Sequence, residues 1–103
     1  MKILAIEKEK EGIYLDNEKE ILEDEAKEVH RLIKSGKVRE IYFTDRSEAV
    51  LVLETDNIPK AHEILDSLPL VASGLSSFDV MELKPYTGLD RIIKAEAEMY
   101  EEI

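Results

Sequence analysis

Along the chain, short bursts of closely spaced apolar residues give way to stretches in which they recur every three or four positions, and the change of period marks the elements. Residues 2–8, KILAIEK, are an apolar run bounded by charge and predict a strand. Residues 9–19 are polar, contain Gly12 and Asp16-Asn17, and predict a loop. From about Glu20 to Ser35, Leu22, Ala26, Val29 and Ile33 fall on one helical stripe, which Ile21 and Leu32 widen. Gly36 is the expected stop of that helix.

Val38 to Thr44 and Ala49 to Thr55 are rich in β-branched and aromatic residues and predict a hairpin with its tip at Asp45-Arg46. Asp56-Asn57 then offers an N-cap, Pro59 suits a first helical turn, and Ala61, Ile64, Leu65 and Leu68 form a second stripe. A proline-fixed corner at Leu68-Pro69-Leu70 and a turn at Gly74 return the chain into a fourth strand, Phe78 to Lys84. Past Pro85-Tyr86, helical spacing reappears at Leu89, Ile92, Ile93, Ala97 and Tyr100, and Thr87 with Asp90 resembles a capping box.

The order β-α-β-β-α-β plus a C-terminal helix predicts an α+β, ferredoxin-like domain: an antiparallel sheet with two helices on one face. The domain is expected over residues 1–88, with a helical tail at 89–103 packing on the domain or on a partner subunit. If the hairpin loop has an even number of residues, Ile41, Phe43, Val50 and Val52 lie under the helices, and Glu40, Tyr42, Ala49, Leu51 and Leu53 share the other face. A three-residue loop inverts that assignment. Either face is too apolar to stay wet, so a homodimer with facing sheets is expected.

With 103 residues, 24 acidic against 14 basic side chains and a formal charge of −10, the surface disfavours nucleic acid and anionic membrane as partners. The absence of cysteine removes disulfides and thiolate metal sites, and the few apolar residues at the N-terminus fall short of a signal peptide or membrane span. A cytoplasmic protein is the expectation.

Several segments together resemble one family: Glu25-Ala26, the run from Gly36 to Phe43, the run from Ala49 to Glu54, Leu68-Pro69-Leu70-Val71, Gly74-Leu75 and Pro85-Tyr86. In this order, over about residues 1–88, they are similar to the muconolactone isomerase-like proteins of the dimeric α+β barrel superfamily. The resemblance implies a ferredoxin-like subunit that pairs into a barrel, a pocket for a small organic ligand, and a proton shift in an unsaturated lactone without metal or cofactor. Two features depart from it: the helix bearing His30 has no bulky aromatic, and the acidic tail beyond Leu89 is extra.

A proton-shift isomerase needs a base beside a carbon acid and a donor for the enolate. Glu40 as base and Tyr42 as donor share a strand face and fit those roles, with Arg39, Glu25, Glu54, Leu51 and Leu53 as substrate-binding candidates. Each has a plainer reading. Alternating charge on an edge strand guards against aggregation, and a helix glutamate commonly meets water. His30 and His62 flank their stripes, which suits half-exposed structural histidines. No histidine–carboxylate cluster has metal-ligand spacing, and no phosphate loop or serine-nucleophile motif occurs. The runs Lys8 to Glu11 and Glu96 to Glu102 read as solvated faces. The alternative to an isomerase is a ligand-binding or accessory homodimer of the same fold, without catalysis.

Overall fold

In a computed structural model the protein is described over residues 1–8 and 19–94. The elements are β1 (Lys2–Lys8), α1 (Lys19–Lys34), β2 (Val38–Phe43), β3 (Ala49–Glu54), α2 (Ile58–Asp66), α3 (Pro69–Ala72) and β4 (Ser77–Glu82). The strands form one antiparallel sheet in the order β2-β3-β1-β4, so each long crossover skips over a neighbour, as in a ferredoxin-like fold. Residues 90–94 are helical, with Leu89, Ile92 and Ile93 exposed. Ala97 and Tyr100, the loop expected at 9–19 except its last residue, most of the run Lys8 to Glu11, and Glu96 to Glu102 lie outside the described residues.

The core lies between the helices and one face of the sheet. Ile3 and Ala5 of β1, Val38 of β2, and Leu51 and Leu53 of β3 meet Leu32 of α1, Ala61 and Leu65 of α2, and Leu68 there. Local chemistry sets the ends of the helices. At Gly36, φ is +81°, and Lys37 N–H donates to the Leu32 carbonyl at 3.1 Å while Gly36 N–H donates to that of Ile33 at 3.1 Å. That pairing closes α1 with a left-handed residue that glycine adopts without steric cost. Asn57 Oδ1 accepts from Lys60 N–H at 2.8 Å and caps α2. Pro69 starts α3, and Leu75 and Ser76 N–H both donate to the Leu70 carbonyl, tightening the corner before β4.

Two expectations about orientation change. The hairpin closes through Thr44 N–H to the Glu48 carbonyl, with Ser47 N–H on the Thr44 carbonyl and Ser47 at φ +63°, leaving a three-residue loop, Asp45-Arg46-Ser47. Phe43 therefore faces Ala49 and Ile41 faces Leu51, so Leu51 and Leu53 go to the helix side and Val50 and Val52 to the open side with Glu40 and Tyr42. A bulge at Arg39 adds a second parity change: Val38 pairs with Leu53 and Glu40 with Val52, so Val38 is buried two positions from a residue that faces out.

The inward line of α1 is also displaced by one position. Leu32 is 1% exposed and Ile33 44%, and the half-buried residues are Ile21, Glu25, Glu28 and Val29, where the sequence pattern pointed to Leu22, Ala26, Val29 and Ile33. The inner line thus carries two carboxylates. Each has a donor from across the fold: Leu70 N–H on Glu25 at 3.0 Å, and Ser67 O–H on Glu28 at 3.1 Å.

Candidate functional site

The displaced roll of α1 leaves a cavity of about 390 Å³ between that helix, the hairpin end of the sheet, and the corner around α3. From α1 come Leu22, Glu25, Ala26 and Val29; from the sheet, Glu7, Ile41, Phe43, Ala49 and Leu51. Leu68, Leu70 and Phe78 form the far wall, and Ser47 of the hairpin loop stands at the rim. Leu22 is 40% and Phe43 75% exposed, so the mouth opens to water between them. Size and lining are those of a small-molecule pocket.

Its two carboxylates are held differently. Glu7 lies at the far end of β1, on the same side as Ile3 and Ala5. Its Oε1 accepts from Ala49 N–H at 3.1 Å and its Oε2 from Ser76 O–H at 2.7 Å, so both oxygens tie β1 to β3 and to the chain entering β4. Glu25 uses Oε2 for Leu70 N–H, and its Oε1 takes no hydrogen bond from the described residues. Desolvation by the apolar walls raises the pKa of Glu25, the Leu70 N–H acts against it, and the charges of Glu7 and Glu28 push it further up. Glu25 is therefore a cavity-lining carboxylate of raised basicity with one oxygen unbonded among the described residues.

The sequence-predicted residues are dispersed. Glu25 and Leu51 line the cavity. Leu53 is fully buried in the core behind it. Glu40 and Tyr42 project from the opposite, open face of the sheet, where Tyr42 is 58% exposed and its O–H donates to Glu40 Oε1 at 2.9 Å. That bond, followed by the charge of Glu40, raises the tyrosine pKa. Arg39 is the exposed bulge residue of β2. Glu54 lies at the other end of β3, pairs with the terminal ammonium of Met1 at 2.8 Å, and has its pKa lowered first by that bond. It borders a shallow polar depression with Lys37, Thr55 and Lys60, away from the cavity. His30 and His62 are exposed. Sequence reasoning missed Glu7. Its signal was the alternation Ile3, Ala5, Glu7, which puts a carboxylate on the inward side of a strand.

Among the described residues, no three histidine, cysteine or carboxylate side chains gather as a metal site, and no helix is long and apolar enough to cross a membrane.

No family model matches the sequence, and no curated protein matches it. Among solved structures, muconolactone isomerase aligns with a TM-score of 0.71 at 19% identity, over 85% of this chain and 93% of that one. The 5-chloro-2-hydroxyhydroquinone dehydrochlorinase of Burkholderia phenoliruptrix, solved with 2,5-dihydroxybenzoquinone, aligns with a TM-score of 0.60 at 17% identity, over 84% and 96%. The chain has the ferredoxin-like α+β fold of these two enzymes, as its resemblance to the muconolactone isomerase-like proteins implied. Identity this low carries the fold alone.

Proposed function

We propose that the protein acts on a small organic molecule held in the α1–sheet cavity, as a proton-shift isomerase with Glu25 as its base. The observation that carries this reading is Glu25 in the apolar cavity lining, its Oε1 without a hydrogen bond among the described residues, with desolvation raising the basicity of the group. In the reaction, a C–H bond beside a carbonyl breaks. Its electron pair enters an enolate, its proton goes to Glu25, and Glu25, whose proton can exchange with water in between, returns a proton to form a new C–H bond further along the conjugated system. No proton is gained or lost, so one carboxylate suffices. Both structural neighbours act on small oxygenated molecules by name, in keeping with this substrate size.

The open face of the sheet is given to assembly. Leu4, Ile6, Val50, Val52 and Met81 lie there with Glu40 and Tyr42, and Met81 is 42% exposed. A second copy placed face to face would cover this surface, and a stable pair needs roughly 800 Å² per partner. In this arrangement Glu40 and Tyr42 belong to the subunit contact, and the base and donor roles that their sequence suggested pass to the cavity.

One observation favours ligand holding without turnover: Ser47 is the only side-chain hydrogen-bond donor among the cavity's described lining residues, which is thin support for an enolate. Both readings are tested by screening unsaturated lactones and hydroxylated aromatics by thermal shift, then following deuterium exchange at the acidic carbon of any binder by NMR. Exchange that Glu25→Gln abolishes supports the isomerase. Binding with no exchange in either protein supports the ligand-holding dimer.

A further inference from the structure

The walls of the cavity carry a charge signature that narrows its ligand. Among the described residues that line it, none is lysine, arginine or histidine, and the only ionisable groups are Glu7 and Glu25. Lys8 is the last residue of the same strand, but its ammonium is engaged by Asp79 at 2.8 Å. Arg31, on α1, is turned to Glu28. The whole chain adds a formal charge of −10, so the field at the mouth also repels anions.

From this juxtaposition, two carboxylates and no cation among the described residues that line an apolar space of about 390 Å³, we infer that the ligand is an uncharged ring compound with a hydroxyl or acidic C–H turned to Glu25, and that carboxylate-bearing analogues are excluded. The inference rests on the reading of the cavity as the ligand site. Its physical basis is a double penalty. An anion entering the cavity loses hydration and meets two like charges, with no arginine or lysine among the described lining residues to compensate as carboxylate-binding sites ordinarily provide. A neutral lactone or phenol of the same shape gives up little hydration, gains the apolar walls, and offers a donor or an acidic C–H to Glu25 Oε1. Glu7 has both oxygens occupied, so it supplies charge and leaves the contact to Glu25.

The test uses pairs of like ring in which one member carries a carboxylate and the other is neutral: a five-membered unsaturated lactone with a carboxymethyl arm against its methyl ester, and 2,5-dihydroxybenzoate against hydroquinone. Binding to the full chain is measured near neutral pH by NMR, following the methyl groups of Val29, Leu51 and Leu68. The neutral member of at least one pair is expected to bind tenfold or more tightly than its acid. Glu25→Gln, and separately Glu7→Gln, should narrow that ratio by improving binding of the acid. If in each pair that binds the acid binds as tightly as its neutral partner, the inference is overturned while the cavity stands as a ligand site. If no compound of either pair shifts the cavity methyls, both fall.

Discussion

Leu53→Ala and Leu68→Ala should destabilise the protein unequally, although both side chains are almost completely buried. Each substitution removes three carbons, worth about 0.8 kcal/mol apiece in transfer from water and about 2.4 kcal/mol together. The second contribution is the void left behind. Leu53 is enclosed in the core beneath the helices and does not border the cavity, so its void stays empty and the total should rise to about 4–5 kcal/mol. Leu68 already forms a wall of the cavity, whose mouth opens to water, so its loss enlarges an existing space and should cost about 2–3 kcal/mol. Urea unfolding followed by circular dichroism, at one fixed protein concentration because the proposed association would add to stability, measures both. Equal losses would refute the open cavity. A loss under about 0.5 kcal/mol at Leu68 would refute the corner that places Leu68 against the core.

Two further outcomes follow from the geometry. The raised pKa of Glu25 means that the folded protein holds this proton more readily than the unfolded chain, so the carboxylate lowers stability once pH passes its ordinary value, and the penalty disappears below that value. Glu25→Gln keeps an acceptor for Leu70 N–H and should therefore raise the urea midpoint at about pH 7, with the gain vanishing by about pH 3; a gain that persists in acid would contradict the desolvated carboxylate. In light scattering the protein should run at about twice its 11.8 kDa, and Met81→Lys, which puts a charge on the open face, should halve that mass without altering the circular dichroism; a wild-type monomer at micromolar concentration would end the face-to-face arrangement.

The order and type of the elements were legible because period-two and period-3.6 patterns alternate cleanly, and because Gly36, Asn57, Pro59 and Pro69 mark helix ends by their own backbone chemistry. Facing was less legible. The hairpin loop holds Ser47 at positive φ, a position where glycine or asparagine would have announced a three-residue loop, so its length left no trace in composition. The bulge at Arg39 is equally silent, because an arginine there reads as ordinary strand. On α1 the pattern favoured Leu22, Ala26 and Ile33 over a line containing Glu25 and Glu28. Those glutamates become inward residues only through Leu70 N–H and the Ser67 hydroxyl, donors distant in sequence that local periodicity does not report. Glu7 was missed for the same reason, and Glu25 stood only among the substrate-binding candidates: both sit on positions that look polar and therefore look external.

The bulge has a consequence for how this protein behaves when crowded. β2 is a rim of the sheet, the kind of edge on which another chain can add a strand by matching successive backbone groups. At Arg39 that rim breaks step, since one extra residue disturbs the spacing of its outward amides and carbonyls and twists the strand locally. An incoming strand would lose register within two residues and meet the charges of Arg39 and Glu40 as well. The proposed pairing through the flat of the sheet would end after one partner, whereas growth from the β2 rim, which has no natural end and leads to fibres, meets this break in register.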